Sequence, residues 1–205
     1  MALLRCTITA LVLLHLPAHA QDVSGALPQP RDALTGAALA RALREGGLTV
    51  YMRHAATVHS QADLDPPDLA SCERQRNLSE AGREMARAIG AGIEALRIRI
   101  SEVLASPYCR TMETARLVAG RATASRAAIG AMTEGKPDYS ELDRVLATAP
   151  PRGSVRLVVS HSHVFRALAG LPFLDEGEAA VLRPEGKRWV IVARLKPEDW
   201  AALPR

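Results

Sequence analysis

The sequence is poor in aromatic residues: 2 Trp, 3 Tyr and 2 Phe make up 3% of its 205 positions. It also has no run of lysines. A nucleic-acid groove needs rings for base stacking above a basic track, so these two shortages together exclude a nucleic-acid partner. The formal charge of +4 comes from 26 Lys and Arg interspersed with 22 Asp and Glu, and forms no tail of one sign. No apolar stretch approaches the ~20 residues a bilayer helix requires, which excludes a membrane span in the mature chain. Several catalytic signatures are also missing. There is no Gly-x-Ser-x-Gly elbow, no Gly-x-x-x-x-Gly-Lys loop and no His-Glu-x-x-His pair. A cysteine phosphatase loop needs Arg six positions after its Cys, and those positions hold Leu78 and Ala115.

What is present is ordinary for one globular domain: 48% hydrophobic and 23% charged residues, enough to bury a core. The first twenty residues stand apart. Arg5, an apolar run from Thr7 to Leu16, Pro17 and then Ala18-His19-Ala20 follow the order of a secretory signal, with cleavage expected after Ala20. The expected location is therefore periplasmic or secreted. Residues 21–36 carry Pro28 and Pro30 without apolar period and read as an exposed leader, leaving 37–205 as a single domain. Cleavage leaves Cys72 and Cys109 as the cysteines. It leaves the histidines in two clusters, His54 with His59 and His161 with His163.

Strands and helices alternate. A helix is expected over 37–44, ending at Gly46-Gly47, and a buried strand over 48–52, ending at Arg53-His54. A long polar loop follows to Asn77. Ser79 is placed to cap a helix whose apolar face is Met85, Ala86, Ile89, Ile93 and Leu96. Val103–Ala105 reads as a second strand. Ser106-Pro107 reads as the cap and first position of a helix running to Gly120. Residues 121–152 carry weaker signals. Val155–Ser160 is a third strand ending at His161, with a short helix near 164–169 behind it. Strands at 179–182 and 189–193 close the chain around a turn at 184–187. This order predicts an α/β fold, a three-layer α/β/α sandwich with a mainly parallel central sheet. Ligands of such sheets bind beyond the carboxyl ends of the strands. Arg53, His54, Arg110 and His161 are thus expected at one rim.

Those residue types fit phosphate chemistry. A neutral imidazole can attack phosphorus, and a guanidinium forks onto phosphate oxygens. Arg110 falls in the first turn of its helix, where a cation opposes the helix dipole unless an anion lies between them. Each element also has a plainer reading: a loop His paired with an acid at 54, a solvent-facing Arg at 110, a strand-end His at 161. His161-Ser162-His163 could place two imidazoles on a metal, but no further ligands stand at matched spacing.

Four motifs in order over roughly residues 48–165 resemble the histidine phosphatase, or phosphoglycerate-mutase-like, superfamily. They are Arg53-His54-Ala55, Leu78-Ser79-Glu80-Ala81-Gly82, Ser106-Pro107-Tyr108-Cys109-Arg110 through Ala115, and Val159-Ser160-His161. Ala55 stands where the family usually has Gly. The tail from Glu176 to Pro184 resembles an exported branch that includes the lipopolysaccharide core heptose phosphate phosphatase. The resemblance implies a phosphate monoester hydrolase that needs no metal or other cofactor. His54 would become phosphohistidine, while Arg53, Arg110 and His161 hold the phosphoryl oxygens. The proton donor is expected to be Glu134, in Met132-Thr133-Glu134, or Glu178. His59, Asp63 and Asp65, in the loop after His54, are candidates to touch the leaving group. The implied substrate is a phosphorylated small molecule or glycan. The alternatives are a non-catalytic binder of phosphorylated ligands and a metallohydrolase. In an oxidising compartment Cys72 and Cys109 are expected to form a disulfide that ties the loop to Arg110, the alternative being two buried thiols.

Overall fold

The computed structural model describes residues 33–64, 66–133, 136–170 and 173–205. The chain order is α1 (Gly36–Glu45), β1 (Thr49–Arg53), α2 (Glu80–Ala95), β2 (Ile100–Ala105), α3 (Cys109–Ala119), β3 (Thr123–Ala124), β4 (Ala131–Thr133), β5 (Lys136–Asp138), α4 (Ser140–Ala147), β6 (Val155–Ser160), α5 (Ser162–Ala169), β7 (Ala179–Glu185), β8 (Arg188–Leu195) and α6 (Asp199–Ala202). One six-stranded sheet runs β3-β2-β6-β1-β7-β8, and β4 and β5 form a separate hairpin. β3, β2, β6 and β1 are mutually parallel, β7 runs antiparallel to β1, and β8 runs antiparallel to β7. The sheet is therefore mixed. The two-residue turn Gly186-Lys187 joins β7 to β8, and a tight turn can only reverse the chain.

The three layers follow from strand alternation. Side chains at successive positions of a strand point to opposite faces. Val50 and Met52 of β1, Leu157 and Val159 of β6 and Val181 of β7 enter one core with Leu39 and Leu43 of α1, Ile89 and Ile93 of α2, Val118 of α3 and Trp200 of α6. Tyr51, Val158, Ala180 and Leu182 enter the other, with Leu142 and Leu146 of α4 and Val164 and Phe165 of α5. β6, buried at every position, is the central strand.

Some elements differ from the sequence reading. The region 121–152, weak in sequence, holds β3, the β4–β5 hairpin and α4. The two closing strands are longer than their apolar runs, because pairing with each other continues past the sheet core. Leu34, within the stretch read as an exposed leader, donates its N–H to the Val192 carbonyl at 2.7 Å and packs on the first core. Residues 1–32, including the expected signal sequence, lie outside the described residues.

Helix α3 starts later than Ser106-Pro107 suggests. Its first residue is Cys109, and Tyr108 (φ −64°, ψ 142°) is the cap. The Ser106 hydroxyl is engaged elsewhere, 2.9 Å from His161 Nε2. The Cys109 N–H is instead satisfied by Gln75 Oε1 at 2.9 Å, so a side chain from the preceding loop does the capping. Helix α2 follows its sequence signal: Ser79 Oγ accepts from the Gly82 N–H at 3.0 Å. A Cβ at position 82 would collide with the Ala56 carbonyl, so only glycine lets α2 approach the segment after His54 this closely.

Candidate active site

β2, β6 and β1 lie side by side and point the same way, with Arg53 in register with Ser160 and Ala105 with Val159. The ladder continues one residue beyond the strands. His54 N–H donates to the Ser160 carbonyl and Ser106 N–H to the Val159 carbonyl, both at 3.0 Å. His54, Ser106 and His161 are thereby fixed at one level of one rim. Arg110 is the second residue of α3, three positions beyond Pro107, and reaches the same rim.

His54 is 2% exposed. Its Nδ1 lies 2.9 Å from the Ala55 carbonyl, which can only accept, so Nδ1 carries the proton and Nε2 carries the lone pair. Burial, followed by the charges of Arg110, Arg53 and Arg76, lowers its pKa to about 3. The ring is therefore neutral at physiological pH with a defined nucleophilic nitrogen. Ala55 needs no glycine-like backbone, since Arg97 alone among the described non-glycine residues has positive φ. Its N–H donates to Thr114 Oγ1 at 3.1 Å, which ties the segment to α3.

His161 is 3% exposed, and its ring stands edge-on to His54 with centroids 5.7 Å apart. Burial and then Arg110 push its pKa well below the ordinary imidazole value. When the Ser106 hydroxyl donates to Nε2, the neutral tautomer leaves Nδ1–H to donate to an oxyanion.

The two arginines are each braced by the protein. Arg110 donates through Nη1 to Asp63 Oδ1 at 2.9 Å and to the Arg76 carbonyl at 3.4 Å. Its guanidinium carbon lies 4.4 Å over the Tyr108 ring. Arg53 donates to the Leu174 carbonyl at 2.8 Å, and its Nη2 lies 3.7 Å from Glu176 Oε1. The Nε–H groups of both Arg53 and Arg110 are buried without a partner among the described residues. An unpaired buried donor costs about 1–3 kcal/mol. Two at one rim, flanking a neutral imidazole, are what an oxyanion would satisfy.

The structure thus brings Arg53, His54, Arg110 and His161 together. Asp63 serves as the brace of Arg110 and also accepts the Arg76 N–H at 2.9 Å. His59 lies on an exposed turn. Glu178 is 6% exposed, with Arg194 Nε donating to Oε1 at 2.7 Å and the Asp175 N–H to Oε2 at 2.8 Å. Glu134 and Asp65 lie outside the described residues. Sequence reasoning missed Arg76, whose charge lowers the pKa of His54, Arg53 and Arg110 alike. It also missed Glu176, which accepts from the Thr57 hydroxyl at 2.7 Å beside Arg53. The available signal for Arg76 was its place three residues before Ser79, at the end of a loop that must return to the rim.

A disulfide joins Cys72 to Cys109, with Cα atoms 5.6 Å apart. It sits among the hydrogen bonds from Cys109 N–H to Gln75 and from Asn77 Nδ2 to the Cys72 carbonyl, the latter at 2.7 Å. The loop that supplies Asp63 and Arg76 is thus anchored on the helix that supplies Arg110.

The sequence profile of the histidine phosphatase superfamily (branch 1) matches residues 50–133, a segment that carries His54, Arg76 and Arg110. The protein histidine phosphatase SixA, solved with tungstate, superposes with a TM-score of 0.53 at 19% identity, covering 74% of this chain and 98% of that one. The fold is that of the histidine phosphatases. SixA of Agrobacterium tumefaciens shares it with a TM-score of 0.50 at 21% identity, covering 74% and 99% of the two chains. So does the ecdysone phosphate phosphatase of Bombix mori, solved with tungstate, with a TM-score of 0.50 at 12% identity and coverage of 73% and 92%. Comparison with curated protein sequences gives no match. Within this histidine phosphatase fold, no group of three or more His, Cys, Asp and Glu among the described residues is placed to hold a metal ion. No described helix is long and apolar enough to cross a membrane.

Proposed function

We propose that the chain is an exported phosphomonoesterase of the histidine phosphatase superfamily, working through a phosphohistidine on His54. The observation that carries this reading is the neutral His54, with its lone pair on Nε2, at a rim where two buried guanidinium N–H groups lack partners among the described residues. Phosphoryl transfer asks the protein mainly for positioning and charge neutralisation. Nε2 attacks phosphorus as the ester oxygen leaves, Arg53, Arg110 and His161 hold the three non-bridging oxygens, and water then releases phosphate. Arg76 adds a further positive charge to the cradle. The four catalytic positions are protein groups, so activity is expected to survive chelation. Tungstate is the ligand named for two structures with this fold. A phosphorylated small molecule or glycan is the substrate class, with heptose phosphates of the lipopolysaccharide core within it.

The test is His54→Ala, which should fold and lose several orders of magnitude in turnover of p-nitrophenyl phosphate. Rapid quenching of wild type should trap a phosphoenzyme that is labile in acid and stable in alkali. The opposite stability would point to an acyl phosphate and end the reading. A wild type that binds vanadate and turns over no phosphate ester would be a non-catalytic binder.

A further inference from the structure

Three of the carboxylates described around the cradle already have partners, and Asp175, exposed and within Coulombic range of Arg53, is the fourth. Asp63 braces Arg110, Glu176 accepts from Thr57 and faces Arg53, and Glu178 is held by Arg194 and the Asp175 N–H. The rim also has an imidazole that no motif accounts for. His163 is the second residue of α5, two beyond His161. It is an exposed residue, and its ring stacks on that of His161 with centroids 5.4 Å apart and planes 19° apart. His161 in turn stands edge-on to His54. Three imidazoles therefore run from the buried floor of the cradle to its solvent side. Among the described residues no hydrogen bond engages the His163 ring, so both its nitrogens are open to a ligand.

We propose that His163 is the acid that protonates the leaving oxygen, an inference that rests on the phosphomonoesterase reading. As the bond from His54 Nε2 to phosphorus forms, the bond from phosphorus to the ester oxygen breaks, and the His163 proton passes to that oxygen to give the free alcohol. The neutral ring then takes a proton from the water that attacks phosphohistidine. The nitrogen–phosphorus bond breaks, inorganic phosphate leaves, and the ring is again protonated. Position and exposure suit this role. The phosphoryl group occupies the floor between the arginines, so the ester oxygen and its substituent must lie toward solvent, where His163 stands. The electrostatics supply the timing. Desolvation of the ring, in a residue exposed as a whole, and then the Arg110 charge lower the His163 pKa. The positive end of α5 acts in the same sense. A phosphate ester dianion seated on Arg110 opposes that field, so substrate binding itself favours the protonated ring.

The experiment compares His163→Asn and His163→Ala with wild type on two substrates. One is p-nitrophenyl phosphate, whose leaving group departs without help, and the other is 2-glycerophosphate, whose alkoxide does not. Loss of a general acid should lower kcat/KM, which reports the steps up to release of the alcohol, by about 10²–10³ on 2-glycerophosphate and by less than about tenfold on p-nitrophenyl phosphate. Vanadate affinity should stay within a few-fold of wild type in both variants, which shows that the cradle is intact. Equal losses in kcat/KM on the two substrates, or none on either, would overturn the role of His163. So would a substrate-selective loss in Glu134→Gln with His163→Asn behaving as wild type. If either His163 variant fails to fold, the other carries the comparison. If neither folds, the slope of log kcat/KM on leaving-group pKa in wild type decides. A steep negative slope means an unprotonated leaving group and overturns the proposal, and a shallow one supports it. Failure of wild type on both esters would overturn the phosphomonoesterase reading, a result distinct from any of these.

Discussion

Replacing Arg110 with lysine keeps the charge and removes the shape. Arg110 is 5% exposed and divides its donors: Nη1 goes to Asp63 and the Arg76 carbonyl, and Nε–H is buried without a partner among the described residues. An ammonium at this position meets one demand or the other. If it stays with Asp63, the phosphoryl oxygens lose a planar pair of donors. If it turns to phosphate, Asp63 is left about one-quarter exposed without its cation. A forked contact to an oxyanion in a partly desolvated site is worth about 2–4 kcal/mol in the transition state, and each 1.36 kcal/mol is about tenfold in rate. Arg110→Lys should therefore retain the fold and lose on the order of 10²–10³ in kcat/KM on p-nitrophenyl phosphate. Steady-state kinetics beside a thermal melt measures both. Turnover within a few-fold of wild type would remove Arg110 from the phosphate contact and refute the reasoning.

Three further outcomes are expected. Reducing the Cys72–Cys109 bond, which spans 37 positions, should cost about 4 kcal/mol in the chain-entropy model; it should also raise KM for phosphate esters, and a melting temperature unchanged by reductant would refute this. His54 has a folded pKa of about 3, so through this group the unfolded chain binds more protons between about pH 3 and 6.5, and His161 is shifted in the same direction. Their contribution is present above pH 6.5 and lost as pH falls, by up to about 1.4 kcal/mol per unit and group, and His54→Gln should flatten the acid side of a Tm–pH profile. Glu178→Gln breaks a nearly buried ion pair with Arg194 and should lower stability by about 3 kcal/mol; a loss confined to poor leaving groups, with an unchanged melt, would instead make Glu178 the acid.

The sequence made the rim legible because its residues sit at strand ends, where local pattern and topology coincide. A buried run ending at Arg53-His54 and another ending at His161 point to one edge as soon as the strands are parallel neighbours. The apolar face of α2 and the Ser79 cap were legible for the same reason, since helix period and capping act within one turn. What stayed hidden depends on distant partners. Ser106 resembles a helix cap locally, yet its hydroxyl belongs to His161, 55 positions later. Gln75 looks like a loop residue and caps α3 across the disulfide. Arg76 and Glu176 carry no motif, and only the return of their loops to the rim gives them a role. The β4–β5 hairpin was invisible because Lys136-Pro137-Asp138 lacks the β-branched and aromatic residues that mark a strand.

The sheet order also sets when the cradle can exist. β6 lies between β2 and β1, which do not pair with each other, yet it is the last of the four parallel strands to be synthesised. Until residue 160 has been made, the segments that bear His54 and Arg110 have no strand between them to hold their spacing. The disulfide can close beforehand, since Cys72 and Cys109 both precede β6. A chain oxidised at that stage is a hinged pair of segments into which β6 must slot. Non-local pairing of this kind slows folding, because loop closure must precede the contacts that reward it. A nascent or truncated chain ending before His161 is therefore expected to hold no phosphate, and phosphate affinity becomes a reporter of the arrival of the central strand.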